Sequence, residues 1–99
     1  MYTEKKNGQV IVKVAGSFNI RVAKIVEEEV GEALDTGEKS VVVDMAETTF
    51  IDSTGMGILI DIRIRLQAVG GSIQVLGLNG YCLEAFEQAN LITDFCKAS

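Results

Sequence analysis

Ile58 to Gln67 reads ILIDIRIRLQ, and the fold turns on whether this stretch is a strand or a helix. Apolar residues at 58, 60, 62, 64 and 66 alternate with polar ones at 61, 63, 65 and 67, which is the period of a strand. The surroundings argue the other way. Just upstream, Ser40-Val41-Val42-Val43-Asp44-Met45 is a β-branched run with no alternation, the mark of a central strand covered on both faces. Only AETTFIDSTGMG separates the two, and a parallel crossover takes about a dozen residues or more, usually including a helix that this segment does not offer. An antiparallel hairpin is the competing solution. Placed at about 100° per residue, Ile58, Leu59, Ile62, Leu66 and Val69 fall within one arc that can face a sheet. Ser53, Met56, Gly57, Ile60 and Ile64 collect on another face, flanked by Arg63 and Gln67 on one side and by Asp61 and Arg65 on the other. A helix that only packs on a core needs no second apolar stripe. A contiguous exposed row beginning at a helix N-terminus marks a partner surface, burial on two sides being the plain alternative.

Working outward, Val10, Val12 and Val14 alternate with Ile11 and Lys13 and predict a strand closed by Gly16. A weaker strand over Tyr2 to Lys5 joins it across Asn7-Gly8, a dipeptide suited to a tight hairpin. Asn19 then caps a helix with Val22, Ile25, Val26, Val30, Ala33 and Leu34 at helical spacing and Glu27, Glu28, Glu29 and Glu32 on its wet side. Gly37 stops that helix near Thr36. Beyond the central segment, the turn Gly70-Gly71 leads into a buried strand over Ser72 to Leu78. Asn79 offers a cap for a helix carrying Leu83, Phe86, Ala89 and Leu91 on one side, and a last strand runs from Ile92 to Phe95. Alternating helices and strands predict an α/β domain with a mixed, mostly parallel sheet, right-handed crossovers and an N-terminal β-hairpin at one edge.

Ninety-nine residues make one domain, residues 1–99, because a chain this short buries only about two thirds of its unfolded surface and supports one core. Charges interrupt the apolar residues every few positions, so nothing approaches the roughly 20 apolar residues of a membrane span. MYTEKKNGQV lacks an apolar signal core, which makes the cytoplasm the expected compartment and gives no role to a membrane. Fourteen acidic residues against nine basic leave a net charge of -5, which repels a phosphate backbone and argues against direct nucleic acid binding. Cys82 and Cys96 have no metal-chelating spacing and read as reduced, partly buried thiols. The chain has no histidine, so the commonest general base and triad member is missing and catalysis is disfavoured.

Phe50-Ile51-Asp52-Ser53-Thr54-Gly55-Met56-Gly57 follows the central strand and opens the disputed helix. Alone it is weak, since Asp and Ser are ordinary helix caps. Together, FIDSTGMG after VVVDM, then GGSIQVLGL, then LEAFEQANLITDF resemble the STAS domain of anti-sigma-factor antagonists over nearly the whole chain. The resemblance implies the STAS fold, with helices packed mainly on one face of the sheet. It also implies that Ser53, the serine directly after Asp52, is a phosphate acceptor. Two features depart from the pattern. Gly16-Ser17-Phe18-Asn19 stands where many relatives have Gly-x-Leu-Asp, and the chain ends at Ser99 where relatives commonly continue into a final helix.

By that resemblance the unmodified protein binds an anti-sigma factor that is also a serine kinase, and so releases the sigma factor. The docking residues it implies are Asp52, Ser53, Thr54, Met56, Gly57, Ile60 and Ile64. The kinase inactivates the protein by phosphorylating Ser53, a phosphoserine phosphatase resets it, and no cofactor, metal or catalytic residue is required. A regulatory or scaffold subunit of a transport or stress-signalling complex would keep the surface without phosphate turnover. Gly55 and Gly57 would let a kinase approach the backbone, their plain reading being tight packing of helix on strand. An enzyme would need Asp52 to activate Ser53, and adjacent residues on one turn form no relay.

Overall fold

Asn7 and Gly8 both take positive φ, 55° and 76°, the two left-handed residues that a two-residue hairpin turn requires. In the computed structural model, which describes residues 1–96, this turn joins β1 (Tyr2–Lys6) to β2 (Gln9–Phe18). Then follow α1 (Ile20–Asp35), β3 (Ser40–Ile51), α2 (Ser53–Ala68), β4 (Ser72–Leu76), α3 (Gly80–Gln88) and α4 (Ile92–Phe95). The chain's end at Ser99 lies outside the described residues. The sheet order is β1-β2-β3-β4, with β1 antiparallel to β2 and the other neighbours parallel.

The contested segment is therefore a helix. Val10 and Val12 of β2 lie in register with Val41 and Val43 of β3, which in turn match Ile73 and Val75 of β4. These side chains form one core with Val26 and Val30 of α1, Leu59, Ile62 and Leu66 of α2, Phe86 of α3 and Phe95 of α4. Helices thus gather mainly on one face. Val42 points the other way and is only 5% exposed, yet stands outside that core. Its register neighbours are Ile11 and Gln74, and the valine run is buried on both faces of an interior strand, as its lack of alternation predicts, with the helices gathered mainly on one of them.

Strand β3 is longer than its sequence suggests because it is bulged twice. Lys13 pairs with Asp44 but Ala15 with Glu47, and Gly16 pairs with Thr48 but Ser17 with Phe50. Each step inserts one residue into β3, and its buried positions accordingly change spacing, from Val41, Val43 and Met45 to Thr48 and Ile51. On β2 the period of two persists from Val10 to Val14, and Phe18 at the strand's end is buried as well. A buried Thr48 fixes the first bulge: its hydroxyl donates to the Val14 carbonyl at 2.7 Å. From α3, the Cys82 thiol donates to the Thr48 carbonyl at 3.7 Å.

Other expectations need correction. Ile92–Phe95 is a short helix, not a fifth strand, so among the described residues β4 is the last strand of the sheet. Asn90 turns the chain at φ 57°, the Leu91 amide returns to the Phe86 carbonyl at 2.9 Å, and Phe95 packs edge-on against Phe86 at 5.7 Å. Burying Phe95 in the core outweighs pairing four residues at a sheet edge. Strand β2 continues past Gly16, β4 stops at Leu76, and Ala89 and Val69 are exposed caps. On α1, Ala23 takes an inward place and Ile25 is exposed.

Replacing Thr48 with Val preserves its shape but removes the donor to a buried carbonyl. Urea denaturation of Thr48→Val is expected to show a loss of about 1–3 kcal/mol, the penalty for an unmet buried polar group.

Candidate functional site

The second bulge brings β3 to Ile51, and the chain turns directly into α2 through Asp52. Asp52 is extended, with φ -98° and ψ 173°, and its carboxylate accepts the Gly55 amide at 2.7 Å. The capping role therefore falls to Asp52, not to Ser53. Ser53, in the first turn of α2, is exposed, and so is Thr54. First-turn amides and the helix dipole favour negative charge at this position.

Two glycines in the turn do different work. A Cβ on Gly55 would lie 2.7 Å from the Phe18 carbonyl oxygen and 2.9 Å from the Phe18 ring, so only glycine lets α2 press against the end of β2. Gly57 meets nothing within 4 Å and is exposed. Close packing accounts for the first, and an open stretch of helix backbone is presented at the second.

Helix α2 sits between two neighbours. Arg65 donates to Glu27 of α1 at 2.8 Å on one flank, while Arg63 pairs with Asp94 of α4 at 3.5 Å on the other. Leu59, Ile62 and Leu66 are fully buried beneath it. Along the outward crest lie Ser53, Gly57 and Ile64, the last 56% exposed. Met56 and Ile60 are not on that crest. They are half-buried against the core on the flank that Arg63 continues, and Ile58 is half-buried as well. The expected docking residues thus divide into an exposed group of Ser53, Thr54, Gly57 and Ile64 and a half-buried group of Asp52, Met56 and Ile60.

Phe50 opens the motif, and its partner Tyr81 is a residue that the sequence pattern does not single out. Phe50 and Tyr81 stack on each other with centroids 5.0 Å apart and planes at 24°, and both remain exposed. Their separation in sequence concealed the pair, although an aromatic residue at the second position of α3 was a usable signal. Asn79 does not cap that helix with its side chain. It donates instead to the carbonyls of Ala46 at 3.1 Å and Gly77 at 2.8 Å, fastening the start of α3 to β3. Both cysteines are free, and burial pushes both thiols up. No cluster of acidic, cysteine or histidine residues suited to a metal occurs among the described residues, and no described helix is long and apolar enough to cross a membrane.

A model of the STAS domain matches residues 1–97. The chain belongs to the STAS domain family. Among its relatives is the Bordetella bronchiseptica protein BtrV, provisionally assigned as an anti-sigma factor antagonist, at 27% identity over 97% of this STAS domain and 83% of BtrV. A Thermotoga maritima protein with the same provisional assignment shares the fold at a TM-score of 0.85, with 19% identity over 96% of this chain and 82% of its own. The anti-sigma factor antagonist SpoIIAA in its unphosphorylated form gives a TM-score of 0.78, with 16% identity over 99% of this chain and 87% of SpoIIAA. The phosphorylated form of SpoIIAA from Bacillus also gives 0.78, with 18% identity over 99% and 90%.

Substitution separates the two glycines of the STAS turn. Gly55→Ala is expected to destabilise the domain by about 1–3 kcal/mol through overpacking against Phe18. Gly57→Ala should instead leave stability unchanged or raise it by up to about 1 kcal/mol, through better helix propensity. Thermal or urea melts of the two variants make the comparison.

Proposed function

We propose that this STAS domain is an anti-sigma factor antagonist that docks on a serine-kinase anti-sigma factor while Ser53 is unmodified and is released by phosphorylation of Ser53. One observation carries the reading: Asp52 caps α2, which leaves the exposed hydroxyl of Ser53 at the helix start free of that structural duty. The names of BtrV and SpoIIAA support the class of partner. The chain serves as acceptor and does no chemistry of its own.

In the modification step the Ser53 oxygen attacks the γ-phosphorus of the kinase's ATP, its proton passes to a base on the kinase, and ADP leaves. The phosphoserine carries a charge of about -1.5 to -2, which first-turn amides of α2 accommodate. The fold survives such a change. SpoIIAA gives the same TM-score of 0.78 against this chain in its unphosphorylated and phosphorylated forms, which accords with a switch that leaves the architecture in place. Release follows from electrostatics and solvation. Docking would bury a dianion beside the Asp52 carboxylate, and desolvating an unpaired charge is strongly unfavourable. A phosphoserine phosphatase then restores the binding form.

Incubation with ATP and the serine kinases of the source organism, followed by site-resolved mass spectrometry, is expected to place phosphate on Ser53 and to find none at comparable yield in Ser53→Ala. Phosphate mainly on Thr54 would overturn the assignment. A partner that binds without any phosphate turnover would instead make the chain a regulatory or scaffold subunit. Ser53→Asp should weaken kinase binding, while Ser53→Ala should remain bound in the presence of ATP.

The α2 surface gives a second test. Ile64→Ser should alter stability by only about 0.5 kcal/mol, as at other exposed sites, yet reduce kinase binding by roughly 2 kcal/mol. Leu59→Ala and Ile62→Ala provide the contrast, with expected losses of about 2–5 kcal/mol of folding free energy. Ile60→Ser, at a half-buried site, should lower both quantities. Urea melts paired with calorimetric titration against the kinase distinguish these outcomes.

A further inference from the structure

The stacked pair Phe50 and Tyr81 has no part in the core. Phe50 is 41% exposed and Tyr81 53%, and the two rings lie on each other instead of entering the apolar cluster beneath the sheet. Exposed aromatic rings on separate elements stay together only if both backbones are held. Phe50 is fixed by the second bulge of β3, where it pairs with Ser17. Tyr81 is fixed by the Asn79 bonds to Ala46 and Gly77. Gly77, at φ 75°, lies so close to Ala46 that a Cβ would stand 2.8 Å from it, which seats the loop before α3 directly on β3.

The surroundings of the pair are acidic. Tyr81 borders one hollow lined by Ala46, Glu47, Thr48, Thr49, Asn79 and Gly80, and another lined by Glu84, Ala85 and Gln88. Among the described residues, neither lining contains a lysine or arginine. Lys13 approaches Glu47 at 3.8 Å, but this pair is solvent-exposed and therefore weak and exchangeable. An aromatic face attracts cations through its quadrupole, and carboxylates at its edge add direct attraction. Arginine suits both demands, because its flat guanidinium stacks on a ring while its N–H groups reach a carboxylate.

We propose that the Phe50–Tyr81 stack, edged by Glu47 and Glu84, is the receptor for an arginine side chain of the protein partner, and that it selects the partner beside the Ser53 switch. This rests on the reading of Ser53 as a phosphate acceptor, since Phe50 and Ser53 lie in the same strand-to-helix segment. It adds a determinant of partner choice that is independent of the α2 crest and keeps its charge when Ser53 is modified.

The test uses the full chain and the kinase that phosphorylates Ser53 in the assay above. Tyr81→Ala and Tyr81→Leu are each expected to weaken binding by about tenfold or more, because leucine keeps apolar area but has no π-face. Tyr81→Phe should stay within about twofold of the parent chain, since it keeps the face. Glu84→Gln should weaken binding moderately and flatten its dependence on salt. Urea melts should match the parent for Tyr81→Phe, Tyr81→Leu and Glu84→Gln. Normal affinity of Tyr81→Leu would reduce the pair to a plain apolar contact and overturn the proposal. Normal affinity of Tyr81→Ala, with Ser53 still phosphorylated, would overturn it while leaving the Ser53 reading intact. If no kinase binds or phosphorylates the chain, both readings fall together.

Discussion

Helix α2 can start where it does only because residue 55 has no side chain. With the Phe18 carbonyl 2.7 Å from where a Cβ would stand, the helix comes down on the end of β2 closer than any other residue would permit. That approach sets the height of the first turn, and the Asp52 carboxylate closes it by taking the Gly55 amide. The neighbouring elements follow from this seating. Leu59, Ile62 and Leu66 drop onto the sheet, Arg65 meets α1, and Arg63 meets α4. Ser53 stays outside while Asp52, just before it, and Gly55, two residues after it, are committed to structure.

The division of labour between adjacent residues would suit the motif to the switch proposed for it. If the serine both capped the helix and received a phosphate, modification would alter the helix terminus and the surface together. With the capping bond held by Asp52, a phosphate on Ser53 would leave that bond in place and confine the change to charge at the surface. The same separation recurs at the glycines, where Gly55 serves packing and Gly57 leaves the helix face open.

Much of this was legible from the residues. Asn7-Gly8, Asn19 and Gly37 marked the hairpin and the limits of α1, because turns and caps depend on local backbone chemistry. The motif named Asp52 and Ser53 but could not say which of them caps, since both side chains are competent to do so. Periodicity failed at β3 and α2 for opposite reasons. Two inserted residues destroy the alternation of a true strand beyond Met45, while Ile60 and Ile64 impose a false one on a true helix. The length of the crossover excluded a parallel strand at α2 but not a hairpin, and the order of elements in the STAS resemblance favoured the helix. The helix at Ile92–Phe95 was hidden because a segment of four residues has no period to read, and its conformation comes from the contact of Phe95 with Phe86. The Phe50–Tyr81 pair depends on register and on the Asn79 tie, neither of which leaves a mark in either local sequence.

The two-faced character of α2 has a consequence before the chain has folded. In an extended nascent chain, Ile58, Ile60, Ile62, Ile64 and Leu66 lie on one side and offer a β-branched surface to any similar chain. Such segments seed cross-chain pairing unless something intervenes. Asp61, Arg63 and Arg65 project from the opposite side and act as gatekeepers, bringing charge into any stack of identical strands. With glycine at 55 and 57 and isoleucine at four positions, α2 has little helical propensity of its own, so packing on the sheet must capture it. The order in which the β2–β3 pair and α2 assemble therefore governs the yield of soluble protein, and conditions that delay sheet formation favour aggregation over folding.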